Sequence, residues 1–237
     1  MRVRALAIDV DGTMTENDGT LNFEAASGAR WMENRGHKII FVSGRSAQET
    51  YSLATYIGTT RVVVGENGGV IQLGPNQFRV IGNKANPLSA YEYLSQKIEG
   101  VELMPVTPRL TEIILERTFD IEKGVNHLIE SRIPVSLVDS KYSYHLAQRG
   151  LTKASGLSIA LEYLGIDPEE CVAIGDSVTD VSLFSICGYS IALGNADEEV
   201  KEKASFATDR NMGSGAVEAL DHVAERFLMI GRDNSSP

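Results

Sequence analysis

The stretch ALAIDVDGTMTEND at residues 5–18 constrains this chain most, because apolar and small residues run directly into two aspartates. On an extended strand Asp9 and Asp11 point to the same side and repel each other unless something lies between them. The spacing excludes an EF-hand, since Gly12 is fourth in the loop rather than sixth and Thr20 stands where a glutamate ligand is needed. An acidic surface loop remains the alternative from this stretch alone.

The composition is that of a globular protein with one large domain, or with a domain that carries an insertion. The chain has 237 residues, of which 43% are hydrophobic and 23% charged. Its net charge of −10 argues against nucleic acid or a membrane surface as a partner, because phosphate backbones select clustered Lys and Arg. A small phosphorylated substrate stays compatible, since a bound divalent cation changes the local sign of the charge.

The two cysteines and the absence of long apolar runs predict where the chain works. Cys171 and Cys187 have no CxxC spacing, which is typical of buried thiols in a reducing compartment. No apolar run approaches the roughly 18 residues of a membrane span, and the N-terminus lacks a signal-peptide pattern. We therefore expect a cytoplasmic, soluble protein, as a monomer or homodimer.

Strands alternate with helices at both ends of the chain, and the continuous apolar strands predict a parallel sheet covered on both faces. In the first part, the predicted strands are 3–10, 38–43 and 61–65, the helices are 22–35 and 46–58 (with a Ser46–Glu49 capping box), and a hairpin spans 70–81. In the last part, the predicted helices are 152–164, 179–187, 197–204 and 214–228, and the strands are 171–175, 190–193 and 205–207.

The middle of the chain has a different pattern, in which a helix is twice followed by two strands. These elements are predicted at 87–99, 101–106, 112–117, 120–131, 133–138 and 143–148. We therefore predict an α/β fold with a doubly wound, mainly parallel, Rossmann-like sheet and an inserted small α+β cap. The predicted core spans 1–82 and 151–237, and the predicted cap spans 83–150.

Ligands of doubly wound sheets bind at the carboxyl ends of the strands, and this chain places polar side chains there. Two acidic pairs, a Ser-Gly-Arg turn and one lysine at a helix start make a stronger signal together than any one alone. The set is Asp9, Asp11, Ser43, Gly44, Arg45, Lys153, Asp176 and Asp180.

Each member also has a simpler interpretation. Lys153 lies in a first helical turn, where a cation is disfavoured by up to about 1 kcal/mol, so it is either a tolerated surface lysine or a ligand for an incoming phosphate. Ser43 is either a turn hydroxyl or, beside Gly44, part of a phosphate clamp. A nucleophilic serine is disfavoured because there is no GxSxG elbow. The GENGG stretch at 65–69 lacks the Walker pattern and is interpreted as a tight turn without ligand contact.

This combination of groups suits phosphoryl transfer. A carboxylate can accept a phosphoryl group and so split hydrolysis into two displacements. Asp9 and Asp176 could bind Mg²⁺, which would neutralise their repulsion and screen the approach of an anionic substrate. Because Asp11 lies close to Asp9, we expect its pKa to be raised, which suits a residue that protonates the leaving alkoxide and then activates water.

Four motifs in order resemble those of the haloacid dehalogenase superfamily of phosphatases. They are DVDGT (9–13), VSGR (42–45), Lys153 and GDSVTD (175–180). The insertion between the second and third motifs resembles a C2-type cap, and HLAQRGLTK before the lysine is most similar to the archaeal phosphoglycolate phosphatase branch.

The resemblance implies a role for each matched residue. Asp9 would be the nucleophile and Asp11 the general acid and base, while Ser43, Gly44 and Lys153 would bind the transferring phosphate.

The resemblance also implies a Mg²⁺ site. Its residues would be Asp9, Asp11 through its main-chain carbonyl, and Asp176, with Asp180 supporting the metal waters or Lys153. One departure is Thr179, where many relatives carry asparagine, so contacts from that position are not carried over.

The resulting expectation is a Mg²⁺-dependent hydrolase of a small phosphorylated metabolite, with 2-phosphoglycolate as the first substrate. Arg109, in a proline-flanked cap loop, is either a partner for the substrate carboxylate or an exposed surface arginine. The alternatives are a sugar-phosphate phosphatase or phosphomutase of the same superfamily and, from other classes, a receiver-like phospho-aspartate module or a non-catalytic phosphate-binding protein.

Overall fold

The computed structural model describes residues 1–228. Its strands are β1 (Ala5–Ile8), β2 (Lys38–Phe41), β3 (Val63–Gly65), β4 (Val70–Gly74), β5 (Gln77–Val80), β6 (Glu112–Leu115), β7 (Val135–Asp139), β8 (Tyr144–Gln148), β9 (Cys171–Gly175), β10 (Tyr189–Ala192) and β11 (Phe206–Ala207). Its α-helices are α1 (Phe23–Asn34), α2 (Ala47–Ile57), α3 (Ala85–Lys97), α4 (Ile121–Ser131), α5 (Lys153–Leu164), α6 (Val181–Phe184), α7 (Glu198–Glu202) and α8 (Met212–Val223). Within this part of the chain, no helix has the length and apolar character needed to cross a bilayer.

A five-stranded parallel sheet forms the centre of the molecule, in the order β11-β10-β9-β1-β2. A parallel bridge between Val42 and Val64 places β3 beside β2, and β3 continues into the antiparallel hairpin β4–β5. Two apolar clusters cover the two faces of the sheet, one built on Leu6, Ile8 and Phe41 and the other on Ala5, Ala7 and Ile40. The predicted α/β fold with a mainly parallel, doubly wound sheet is confirmed.

Local signals set the helix ends next to the site. Ser46 and Glu49 form the predicted reciprocal capping box at the start of α2, and Gly58 ends that helix with φ of 81°. Thr152 caps α5 through the Ser155 N–H, and Gly165 ends it in the same left-handed conformation. These caps fix the first turns of α2 and α5, which lie at the carboxyl edge of the sheet.

Three predicted elements differ from the structure. The strand expected at 101–106 is wrong: Leu103 forms only an isolated bridge to Leu115, and Pro105 in this segment has no N–H to continue a ladder. The helix expected at 179–187 is a 3₁₀ turn followed by the single-turn α6, because the Asp180 carboxylate accepts the N–H groups of the preceding loop. The last helix leaves α geometry after α8 and continues as a π-helical turn over Ala224–Leu228.

The inserted segment has its own sheet and its own apolar core. Its three antiparallel strands lie in the order β6-β8-β7, and α3 and α4 pack on this sheet around buried residues that include Leu94, Leu115, Leu128 and Leu146. We call this unit the cap. The exact boundaries at 82/83 and 150/151 stay predictions, and positions 229–237 of the predicted core lie outside the described residues.

The GENGG turn joins the cap to the core through a buried carboxylate. Glu66 is 1% exposed and accepts hydrogen bonds from the Leu110 N–H (3.0 Å), the Thr111 N–H (2.7 Å) and the Thr111 hydroxyl (2.8 Å). Glu66 and Asn67 both have positive φ, near 50°, a strained conformation that these contacts hold in place. The GENGG segment, which was predicted to be only a tight turn, therefore anchors the cap to the core.

We predict that Glu66→Gln lowers the free energy of unfolding by about 1–3 kcal/mol, because the amide accepts fewer hydrogen bonds and loses the charge that strengthens them. Urea unfolding measures this difference. Glu198→Gln is the matched control, since the Glu198 side chain is exposed and pairs only with Lys201. Equal stability of the two variants would contradict the anchoring role of Glu66.

Candidate active site

The ammonium group of Lys153 lies at the centre of the predicted site. The residue is 3% exposed, and Nζ is 2.6 Å from Asp9 Oδ1 and 2.7 Å from Asp180 Oδ1. Burial by itself lowers the pKa of Lys153, but the carboxylates of Asp180 and Asp9 outweigh it, so the pKa lies above its usual value and the group stays charged. The alternative of a solvated surface lysine is therefore wrong.

Asp9 follows β1 and offers one carboxylate oxygen to the site. Its N–H is bonded to the Ile174 carbonyl, and Oδ1 is held by Lys153. Within the described residues no protein donor reaches Oδ2, which leaves that oxygen for a phosphorus atom or a metal ion. Burial raises the pKa of Asp9; Lys153 opposes this shift, and the charges of Asp180 and Asp176 add to it.

Asp176 follows β9 and is oriented by two donors from other parts of the core. The Thr13 hydroxyl donates to Oδ1 and the Asn195 amide donates to Oδ2, both at 2.9 Å. Asn195 also donates to the Gly12 carbonyl and accepts the Met212 N–H, so it fixes three segments at once. Neither Thr13 nor Asn195 was predicted as a site residue, although Thr13 belongs to the DVDGT motif.

Asp180 is fully buried, and protein donors occupy both of its oxygens. Oδ1 binds Lys153, while Oδ2 accepts the Ser177 N–H at 3.0 Å and the Ser177 hydroxyl at 2.8 Å. This arrangement suits the supporting role of holding Lys153 better than direct metal ligation. Thr179, the position that departs from the family pattern, shares a 2.7 Å hydroxyl contact with Ser177 and so stabilises the same loop.

The acidic cluster fits a divalent cation. One carboxylate oxygen from each of Asp9, Asp176 and Asp180 lies within 4.8 Å of the others, and Lys153 supplies a single positive charge to the three. Burial, followed by the charge of Asp180, raises the pKa of Asp176 to about 6. Carboxylate oxygens are the ligands that Mg²⁺ prefers, so the residues present fit this ion.

Ser43 and Gly44 lie where the second motif meets the cap. Ser43 is fully buried, and its hydroxyl oxygen accepts the Arg45 N–H at 3.1 Å, which leaves the hydroxyl hydrogen free to donate. A Cβ on Gly44 would lie 3.3 Å from the side chains of Asn67 and His145. A side chain at this position would press on Asn67 of the GENGG turn and on His145 of the cap. The predicted contact of Gly44 with phosphate stays a prediction.

Arg45 holds Asp11, and the sequence analysis quoted this arginine without giving it a role. Nε lies 3.0 and 2.8 Å from the two carboxylate oxygens, and Nη2 lies 2.5 Å from Oδ1. The two residues are 34 positions apart and meet because β1 and β2 are neighbouring strands. The Arg45–Asp11 pair could have been predicted from the sequence, because Arg45 follows the end of one strand and Asp11 follows the end of the neighbouring strand.

Arg109 is not an exposed surface arginine, so that alternative is wrong. Its side chain is 8% exposed, with Nη1 3.2 Å from Glu49 Oε2 of the core and Nε 3.8 Å from Glu112 Oε1 of the cap. The carboxylates of Glu49 and Glu112 therefore already balance its charge. Its role as a partner for a substrate carboxylate stays a prediction.

The turn between β7 and β8 reaches from the cap to the core. Burial, followed by the charges of Asp176, Asp11 and Asp9, raises the pKa of the Tyr142 hydroxyl in this turn. The neighbouring Lys141 pairs with Asp197 of the core at 3.1 Å. Sequence analysis missed this turn because its position depends on how the cap docks.

We predict that Mg²⁺ raises the melting temperature more at pH 7.5 than at pH 5. Without metal, protonated Asp176 is favoured in the folded state, since its pKa there is about 6 against an ordinary 3.8, and this stability is lost as pH rises through 6. Mg²⁺ binds the ionised form and restores it. Thermal unfolding with EDTA or Mg²⁺ at both pH values measures the difference; equal shifts would contradict the site.

Comparisons with known proteins agree with this geometry. The sequence matches the haloacid dehalogenase-like hydrolase family over residues 6–106 and 110–220. It is 42% identical to the phosphoglycolate phosphatase of Nitrosopumilus maritimus, covering 94% of this chain and 97% of that protein, and 35% identical to that of Methanothrix thermoacetophila, covering 93% and 97%. A crystal structure from Thermoplasma acidophilum shares the fold with a TM-score of 0.85 at 24% identity, covering 97% of this chain and all of the other.

Proposed function

The chain belongs to the haloacid dehalogenase-like hydrolase family, and on this premise we propose that it hydrolyses 2-phosphoglycolate to glycolate and phosphate. The observation that carries the proposal is the salt bridge of buried Lys153 to Asp9 and Asp180, which occupies Asp9 Oδ1 and leaves Asp9 Oδ2 without a protein donor among the described residues. A carboxylate oriented next to a cation and a donor suits attack on a phosphoryl group.

In the first step Asp9 Oδ2 attacks phosphorus and the bond from phosphorus to the glycolate oxygen breaks. Asp11 donates a proton to that oxygen, so the alcohol leaves uncharged. The Ser43 hydroxyl and the Lys153 ammonium bind the phosphoryl oxygens, on which negative charge accumulates. The product of this step is an aspartyl phosphate at Asp9.

In the second step Asp11, now ionised, accepts a proton from water, and the hydroxide oxygen attacks phosphorus. The bond between phosphorus and Asp9 breaks, which releases phosphate and restores the carboxylate. Asp9, the Asp11 carbonyl and Asp176 would hold Mg²⁺, with Asp180 behind them, and the ion supplies positive charge that screens the anionic nucleophile from the anionic substrate.

The substrate assignment rests on the names of the relatives and on the size of the cap. The two relatives named above are phosphoglycolate phosphatases, and the chain matches each of them over 97% of its length. A small cap that contacts the core through Lys141 and Asp197 suits a compact leaving group, from which its closure would exclude water. A sugar-phosphate phosphatase or a phosphomutase remains the alternative and is an outcome of the assay below.

We expect phosphate release from a panel of phosphomonoesters to be fastest with 2-phosphoglycolate, to require Mg²⁺ and to stop in EDTA. Asp9→Asn should lower the rate by at least about 1,000-fold, because the amide cannot act as the nucleophile. Asp18→Asn is the matched control, since Asp18 is exposed and bonds only to Thr20. Full turnover in Asp9→Asn, checked for deamidation by mass spectrometry, would overturn the mechanism, and a preference for hexose phosphates would overturn the substrate.

Asp11→Asn should slow the two classes of leaving group differently. We expect a loss of about 100- to 10,000-fold in single-turnover cleavage of 2-phosphoglycolate, whose alkoxide needs a proton. p-Nitrophenolate leaves without one, so its release in the first turnover should be far less affected. Stopped-flow absorbance measures this burst, and a loss of equal size for both substrates would argue against Asp11 as the acid.

We also propose a cytoplasmic location and a monomeric or homodimeric state. The free thiols of Cys171 and Cys187 support a reducing compartment. Sedimentation velocity of the purified protein tests the oligomeric state.

A further inference from the structure

The guanidinium of Arg45 contacts Asp11 with only one of its two edges. Nε and one hydrogen of Nη2 bind the Asp11 carboxylate. A guanidinium is planar and carries five N–H donors, so the edge formed by Nη1 and the second Nη2 hydrogen remains open. The side chain is 43% exposed and lines a cavity together with Val10, Glu49 and Leu53, so a ligand can reach this edge.

The position of Arg45 follows from the role of Asp11. A residue that protonates the leaving oxygen has to lie within hydrogen-bond distance of it. Since Arg45 lies within 3.0 Å of the Asp11 carboxylate, its guanidinium is also next to the leaving group. In 2-phosphoglycolate the carboxylate is attached to the carbon that bears the ester oxygen. A guanidinium next to that oxygen is therefore also near the substrate carboxylate, which its open edge can bind.

The other cations around the cleft are committed to protein carboxylates. Lys153 is buried between two aspartates, and Arg109 is enclosed by Glu49 and Glu112. Lys141 of the β7–β8 turn pairs with Asp197 of the core at 3.1 Å. Arg45 therefore combines a fixed position, given by Asp11, with an edge that can bind a second carboxylate in two parallel hydrogen bonds.

We infer that Arg45 is a specificity-determining residue: one edge orients Asp11 and the open edge binds a carboxylate on the leaving alcohol. The inference rests on the proposed phosphatase function and names its substrate class, phosphomonoesters with a carboxylate on the carbon attached to the ester oxygen. The hydrogen bonds that Arg45 donates to Asp11, together with the nearby charges of Asp11 and Glu49, raise the pKa of the guanidinium and keep it charged for this role.

The open edge selects for charge. A carboxylate on the leaving alcohol can pair with this edge, whereas a neutral leaving group of the same shape cannot. We therefore expect the enzyme to discriminate between leaving groups by charge rather than by size.

The test compares 2-phosphoglycolate with 2-phosphoglycolamide, a neutral analogue of nearly the same shape. The ratio of kcat/KM for the two substrates is measured in Mg²⁺ for wild type, Arg45→Gln and Arg45→Lys. Any disturbance of Asp11 slows both substrates and cancels in the ratio. We expect the ratio to fall about 10- to 100-fold in Arg45→Gln, since a charge-assisted bidentate contact is lost, and to fall less in Arg45→Lys.

Arg4→Gln is the matched control, because Arg4 forms a similarly exposed pair with Glu170 at 2.9 Å but precedes β1, at the amino edge of the sheet opposite the site. Its ratio should equal that of wild type. Melting temperatures identify any misfolded variant. If Arg45→Gln does not fold, the test uses Arg45→Lys, which keeps the charge and should also show a lower ratio of kcat/KM values than wild type.

Two results would overturn the inference and leave the proposed function intact. In the first, Arg45→Gln slows both substrates equally, so Arg45 acts only by positioning Asp11. In the second, Arg109→Gln lowers the ratio and Arg45→Gln does not, which assigns the substrate carboxylate to Arg109. A wild-type enzyme that does not prefer 2-phosphoglycolate to the amide would instead overturn the proposed substrate as well.

Discussion

The Lys153 ammonium, held between Asp9 and Asp180, is the interaction on which the rest of the site depends. It brings together the end of β1, the start of α5 and the loop after β9, since Lys153 lies 144 positions from Asp9 and 27 positions from Asp180 in the chain. Removing one partner of a buried ion pair leaves an uncompensated charge, so these three elements stabilise one another. The same contact occupies one oxygen of Asp9 and thereby directs the other into the cleft. Stability and orientation of the nucleophile thus come from one salt bridge.

The GENGG turn extends this organisation to the cap. The Asn67 N–H bonds to the Ser43 carbonyl and the Glu66 N–H to the Arg45 carbonyl, while the side chains of Glu66 and Asn67 reach the cap. The loop that carries Ser43 and Arg45 is therefore fixed by the same turn that anchors the cap. Because Arg45 in turn holds Asp11, docking of the cap and the position of the acid are linked through one short segment. The cap is therefore part of the active site rather than a separate lid.

The sequence predicted the features whose causes are local or tied to a motif. Apolar runs that end in an aspartate predicted strands β1 and β9 together with Asp9 and Asp176. The Ser46 capping box predicted the start of α2. Lys153 was identified because a cation in a first helical turn breaks a local rule, and its buried partners explain why. The salt bridge of Arg45 and the burial of Arg109 were not predicted, since their partners lie 34 and 60 positions away in the chain. The burial of Arg109 also depends on docking of the cap. The absent strand at 101–106 shows that an apolar segment with a proline does not form a ladder by pattern alone.

If Asp9 carries the phosphoryl group, chemical trapping during turnover should detect it. Enzyme mixed with 2-phosphoglycolate and Mg²⁺ is quenched in acid within the first turnover and treated with borohydride, which reduces an aspartyl phosphate to homoserine. Peptide mass spectrometry then locates the change. We expect homoserine at position 9 and none in the same sample without substrate. Phosphate release with an unmodified Asp9, or homoserine at another aspartate, would contradict this role of Asp9.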